Sequence, residues 1–310
     1  TLARRAWHNA PAMQETATLP APTTNGTANN PAALPAWRQK LVAVLVTFHL
    51  FATPALVIAR LRNIPVIVNY SGGNADTFFS GAPRYVLRLL GKAAMRVTPS
   101  AYLQRVFANF GLSSDIIPNV VDLSRFAFSS GRGSVTAPRL IVTRNLEAIY
   151  DIPTAIRVFA RVQRVFPDAT LLIAGSGPER DSLQKLSKAL VSEASVTFTG
   201  RVDSVYMPSI YADADCLINP STVDNMPNSI LEAFASGVPV VSTNVGGIPD
   251  MVVDGESALL APVGDDGALA LHVLRVLQDQ VLANALRRAG LVEAEKYAWH
   301  QVKQQWLYAY

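Results

Sequence analysis

One pattern constrains this chain more than any other: short apolar runs alternate with longer amphipathic stretches over most of its length. Strand-like runs fall at 139–143, 170–174, 195–199, 215–218, 239–242 and 258–260. Helical patterns fall between and after them, at 153–166, 178–191, 204–212, 228–236, 247–252, 265–278 and 280–296, with a last helix at the C-terminus. A shorter series precedes it, with strands at 42–48, 65–70, 95–98 and 115–118 and helices at 52–62, 82–93 and 100–110. Such alternation predicts an α/β protein with two parallel sheets, each covered by helices on both faces. In folds of this kind ligands bind outside the carboxyl ends of the strands. The Gly/Ser-rich break "SSGRGSVTAP" at 129–138 divides the two series. It sets the expected domains at 41–128 and 129–290, with 291–310 as a closing helix.

Charge is unevenly divided. Residues 1–130 hold 12 Lys and Arg against 4 Asp and Glu, whereas residues 131–310 hold 15 against 19. The basic half suits anionic lipid or a phosphorylated ligand. No zinc-finger spacing or interleaved aromatic-basic patch accompanies it, so nucleic acid is not expected as a partner. The single cysteine, Cys216, excludes a disulfide framework and suits a reducing compartment, the cytoplasm. It stands in the apolar run "DCLIN" and reads as a buried structural thiol. Four histidines without Cys/His clustering make no case for a metal site. Residues 8–35 are rich in Ala, Pro, Thr and Asn, so the segment 1–40 is expected to be disordered. Residues 41–59 carry no charged side chain over a length at the lower limit of a membrane span. Their division into a β-type and a helix-type half, with His49 and Pro54 inside, favours a buried strand and helix.

The stretch "STVDNMPNSILEAFASGVPVVSTNVGGIPD", 221–250, is the richest in chemistry. Asp224 and Glu232 flank seven residues across the start of a helix that Asn228 or Ser229 can cap. A helix N-terminus is an anion site. A carboxylate just before it can reach a hydroxylated group beside a phosphate, and one a turn inside can accept hydrogen bonds from a ribose. Spacing alone leaves a second reading open, an ordinary loop Asp and a helix acid favoured by the macrodipole.

The same stretch resembles the donor-site signature of the retaining glycosyltransferases of family 4, within glycosyl transferases group 1. The resemblance continues through "TRNLEAIYDIPTAIRVFA", "LLIAGSGPE", "VTFTGRV", "YADADCLINPS", "RVTPSAYL" and "IPNVVD", and covers roughly 41–310. It implies a GT-B fold of two Rossmann-like domains, and residues 297–310, "YAWHQVKQQWLYAY", resemble the helix that crosses back onto the first. It also implies roles. Glu232 would hold the ribose and Asp224 the donor sugar. The backbone from Asn225 through Met226, Pro227 and Asn228 to Ser229 would hold sugar and diphosphate. Arg144 would pair with the leaving diphosphate, and Gly175, Gly177, Arg201 and Val202 would line the nucleotide pocket. On the acceptor side, "NYSGGNAD" offers Ser71, Gly72, Gly73 and Asn74. No metal and no cofactor beyond the nucleotide sugar is implied. By themselves "GSGPE" is a weak dinucleotide signal and "DAD" at 213–215 a coincidental metal triplet, since it precedes a strand.

Four departures from the family stand out. Asp224 replaces the usual Glu. The Lys that relatives carry about five residues after the Arg is missing, its neighbourhood here being Ile149, Tyr150 and Asp151. The first strand and Gly-rich loop are not visible, so the N-terminal domain reads as incomplete, and Ser71 stands where many relatives have His. The expectation is a transferase moving a sugar from a nucleotide-diphosphate donor to a cell-surface glycan precursor or lipid-linked acceptor; the alternative is a truncated or degenerate nucleotide-sugar-binding relative. In "APRYVLRLLGKAAMRV", Arg84, Arg88, Lys92 and Arg96 recur every four residues beside Tyr85, Leu89 and Leu90. That stripe suits peripheral contact with the anionic inner face of the plasma membrane.

Overall fold

The computed structural model describes residues 52–133 and 135–310. The expectations for 1–40 and for a strand at 42–48 lie outside these residues.

The second series of elements builds one six-stranded parallel sheet. Its strands are β4 (Arg139–Val142), β5 (Thr170–Ala174), β6 (Val196–Gly200), β7 (Cys216–Asn219), β8 (Val240–Thr243) and β9 (Leu259–Ala261). The spatial order is β6-β5-β4-β7-β8-β9. This is the doubly wound order in which the chain runs outward from the centre, returns, and runs outward on the other side. β7 and β8 are buried at every residue, which is why they read as unbroken apolar runs rather than as alternating ones. One core lies between the sheet and helices α5 (Ile152–Gln163), α6 (Arg180–Leu190), α9 (Asp266–Gln278) and α10 (Gln280–Lys296). The other lies on the opposite face under α7 (Met207–Ala212) and α8 (Asn228–Ala235). Buried Cys216 belongs to the first core, and burial pushes its thiol pKa up, so it packs as an apolar side chain.

The first series forms a three-stranded parallel sheet, β1 (Ile67–Asn69), β2 (Met95–Thr98) and β3 (Asp115–Ile116), in the order β1-β2-β3. Helices α1 (Ala52–Leu61), α2 (Ala75–Gly81), α3 (Arg84–Leu90) and α4 (Ala101–Asn109) supply its larger core. The other face is covered from the far end of the chain. Val302 and Ala309 of α11 (Trp299–Ala309) bury against Ile67, Val97 and Ile117. α4 shows why these residues form a helix. Ser100 caps it through its side chain, and Leu103, Val106 and Phe107 recur on one face.

Some boundaries differ from the sequence pattern. The stretch read as one helix over 82–93 is preceded by the separate helix α2, and α3 stops at Leu90. Pro83 cannot continue the earlier helix and becomes the N-cap of the next. The pattern at 247–252 holds only a 3₁₀ turn, Ile248–Asp250, which contains Pro249 and follows Gly246 in the left-handed region. At 204–212 a 3₁₀ turn, Ser204–Tyr206, precedes α7. Among the described residues no helix is long and apolar enough to cross a membrane.

Candidate active site

β4 and β7 are neighbours, and between them the strand order reverses. That is the switch point, where the loops after two adjacent strands part and leave a crevice. Arg144 follows the end of β4, and Asp224 lies in the loop after β7. Two residues 80 apart in the chain are thereby brought into an ion pair, Arg144 Nη2 to an Asp224 carboxylate oxygen, with side chains only 12 % and 9 % exposed. The guanidinium carbon also stands 4.4 Å over the Tyr150 ring. Burial lowers the Arg144 pKa, while the charge remains through any ordinary pH.

The Gly-Gly after β8 has a steric explanation. A Cβ on Gly246, whose φ is +58°, would run into the Asp224 carbonyl oxygen, and one on Gly247 into that of Asn225. The Gly247 N–H donates to the Asp224 carbonyl at 3.2 Å. The glycines therefore let the loop after β8 lie directly on the Asp224 loop and fix its path. Asp224 Oδ1 also accepts from the Asn225 N–H at 3.0 Å.

α8 begins at Asn228, behind Pro227, and no side chain caps it. The expected cap from Asn228 or Ser229 is not made. Asn228 is exposed, and the Ser229 Oγ is buried without a partner. The Arg144 Nε and Asn225 Nδ2 are likewise buried and unpartnered. Polar atoms left this way are few in folded proteins, and each calls for a partner; others here are on Glu179, Ser236 and His272. Met226 and Pro227 are buried, and the Met226 carbonyl accepts from Asn119 Nδ2 at 2.8 Å.

Glu232 sits one turn into α8 and is half-buried. It accepts a hydrogen bond from the Tyr211 hydroxyl at 2.9 Å, which lies within 2.9 Å of Thr143 Oγ1 as well. Burial raises the Glu232 pKa, an effect that the Tyr211 hydrogen bond and the Arg125 charge partly offset. Tyr211 is fully buried and burial holds its hydroxyl well above its ordinary range, so it stays neutral, donating to Glu232 and accepting from Thr143.

A cleft of 590 Å³ opens beside Arg144, lined by Thr143, Gly175, Arg201, Val202 and Met207 among others. Gly177 is not part of its lining. A Cβ there would strike the Leu146 carbonyl, and the Leu146 N–H donates to the Ser176 carbonyl at 3.0 Å. Gly177 is thus needed to seat the Arg144–Leu146 backbone, while Gly175 does both: it lines the cleft, and a Cβ on it would strike the Arg144 carbonyl. In the "DAD" triplet each carboxylate is taken by an arginine, Asp213 by Arg139 at 3.1 Å and buried Asp215 by Arg132.

The first sheet reaches the same loop. Ser100 Oγ donates to Asn225 Oδ1, and the Tyr102 N–H to Asp250 at 2.6 Å. A Cβ on Gly73 would stand 3.6 Å from the Asp224 Cα, whereas Ser71, Gly72 and Asn74 are exposed. Of the basic stripe, Arg84, Arg88 and Lys92 are exposed, with Tyr85 beside them. Arg96 does not belong to it. It lies in β2 and donates to the Leu90 carbonyl at 3.1 Å and the Ala93 carbonyl at 3.2 Å. Leu90 is core.

Sequence reasoning missed Tyr150, Tyr211, Thr143 and Asn119. Tyr211 stood inside a quoted motif, "YADADCLINPS", where a large aromatic with a hydroxyl before a buried strand is the signal for a polar group aimed inward.

Residues 137–279 match the family model for glycosyl transferases group 1, a span that takes in the sheet from β4 to β9 and helix α9. The glycogen synthase of Mycobacterium tuberculosis is 27 % identical over 253 residues, covering 78 % of this chain and 61 % of that protein. The GDP-mannose-dependent alpha-(1-6)-phosphatidylinositol monomannoside mannosyltransferase of Mycolicibacterium smegmatis is 30 % identical over 226 residues, 67 % of this chain and 59 % of that one. The chain thus spans about three-fifths of the length of these relatives. Among solved structures, Anabaena Alr3699/HepE in complex with UDP and glucose superposes with a TM-score of 0.73 at 18 % identity, covering 83 % of this chain and 74 % of that one. The fold is that of the GT-B glycosyltransferases, an α/β chain with two parallel sheets.

Proposed function

We propose that the chain binds a nucleoside-diphosphate sugar in the cleft at the switch point and serves a retaining, metal-independent transfer of that sugar to a glycan precursor or lipid-linked acceptor. The observation that carries this reading is the meeting of Arg144 and Asp224 beside the open start of α8, with Glu232 one turn inside it. The bond to be broken joins the anomeric carbon to a diphosphate oxygen, which keeps the electron pair. Negative charge grows there, and Arg144 and the α8 N-terminus are the groups suited to meet it. Glu232 would take ribose hydroxyls, Asp224 the sugar hydroxyls, and Arg201 and Val202 would border the base. Ser71, Gly72, Gly73 and Asn74 would border the acceptor. Two relatives with transferase or synthase names and a similar fold solved with UDP and glucose support the reading. The site would work in the cytoplasm, peripherally at the membrane through Arg84, Arg88 and Lys92, with no nucleic acid involved.

One observation favours the second reading, a nucleotide-sugar binder with little transfer. Arg144 is already neutralised by Asp224, and the turn that follows supplies an aromatic ring rather than another cation. A thermal-shift screen of nucleotide sugars followed by a donor-turnover assay separates the two. Binding of a nucleoside-diphosphate sugar with turnover supports the transferase; binding alone supports the second reading; no shift with any donor overturns both.

A further inference from the structure

We propose that Tyr150 is a positioning residue that fixes the Arg144 guanidinium for a diphosphate, an inference that rests on the donor-binding reading above. The ring lies 4.4 Å under the guanidinium carbon, near enough for a cation–π interaction with a largely desolvated charge. Arg144 has two neighbours of different kinds. Asp224 is an anion whose place a phosphate can take. Tyr150 is a neutral face whose attraction does not depend on what the other edge of the guanidinium holds. The ring therefore keeps Arg144 in one orientation while its anionic partner changes.

The local structure around Tyr150 is built to hold that ring still. Tyr150 closes a 3₁₀ turn, Ala148–Tyr150, and packs against the larger core of the six-stranded sheet. Asp151 follows in the left-handed region at φ 41°, uncommon for a residue with a side chain. It is held there by its hydrogen bond with Thr154 Oγ1 at 2.7 Å at the start of α5. On the other side, the Ile149 carbonyl accepts from the Thr222 N–H at 2.8 Å and the Thr222 hydroxyl at 3.1 Å. The turn that carries Tyr150 is thus tied to the loop that carries Asp224. Backbone strain kept by surrounding contacts at a cleft is characteristic of positioned groups.

Calorimetry on the full chain tests this with UDP and GDP against uridine and guanosine. The Tyr150→Leu variant is expected to lose about tenfold in affinity for whichever diphosphate the protein binds, the size of a desolvated cation–π contact. Its affinity for the matching nucleoside is expected to stay within twofold, because the donor-binding reading gives that part of the ligand to Glu232, Arg201 and Val202. Tyr150→Phe keeps the ring and should stay within threefold of the unmodified protein. In an Arg144→Ala background, Tyr150→Leu should have no further effect. Equal losses for diphosphate and nucleoside, or full diphosphate affinity in a folded Tyr150→Leu, overturn the positioning role while the donor-binding reading stands. If the unmodified protein binds no nucleoside diphosphate, ADP and dTDP included, both fall together.

Discussion

Arg144 and Asp224 close an ion pair across the two central strands of the six-stranded sheet, each nearly hidden from water. A buried pair is costly to break from one side, since the remaining charge loses its partner. Asp224→Asn is therefore expected to destabilise the protein by about 3 kcal/mol. A nucleoside diphosphate can then supply the lost anion, so it should raise the melting temperature of Asp224→Asn more than that of the unmodified protein. Equal shifts in differential scanning calorimetry would place the phosphates away from Arg144.

Glu232 gives a pH prediction with a definite sign. Its folded pKa is raised above the ordinary 4.5, mainly by burial. The folded state then binds the proton more tightly than the unfolded one, so stability falls as pH rises from about 4.5 through the raised value. Glu232→Gln should remove that decline and melt higher than the unmodified protein at neutral pH, with no gain at pH 4. A parallel pair of melting curves between pH 4 and 7.5 would contradict the assignment.

The same carboxylate is the proposed ribose acceptor. Glu232→Ala should weaken nucleoside binding by about 1.5–3 kcal/mol, the range for hydrogen bonds to a charged group, with the fold intact. Unchanged affinity by calorimetry in a folded variant would remove Glu232 from the site.

Gly246 and Gly264 both have positive φ, +58° and +78°, but only Gly246 presses on the Asp224 backbone; Gly264 faces open space. Gly264→Ala should cost only the left-handed penalty, about 1–2 kcal/mol. Gly246→Ala adds the collision and should cost more while also lowering diphosphate affinity. Urea melts of the two variants decide this, and equal costs would show that the close approach relaxes freely.

Exposed Arg84, Arg88 and Lys92 should bring the protein down with anionic vesicles at low salt and release it at high salt. Replacing all three with Gln should abolish sedimentation without unfolding. An unmodified protein that stays in the supernatant at low salt, or pellets equally with neutral vesicles, would leave the stripe as ordinary solvent-facing surface.

Local pattern determined most of the elements, because burial on both sheet faces writes itself as apolar runs such as "CLIN" and "VVST", and helix faces repeat every three or four residues. It also marked Asp224 and Glu232, on either side of a helix start, whereas Arg144 came into view only through the family resemblance. It overran where a glycine or proline acts against periodicity, at Pro83 and at Gly246 to Pro249. Tertiary structure alone decided the partners. Arg144 meets Asp224 because strand order, which no local window contains, sets β4 beside β7. Tyr150 lies under Arg144 in a turn that the Ile149 carbonyl ties to Thr222 of the Asp224 loop, a contact between segments far apart in the chain. Gly177 and Gly246 are fixed by carbonyl groups of distant segments, so their necessity is steric and becomes visible only once those segments are packed together.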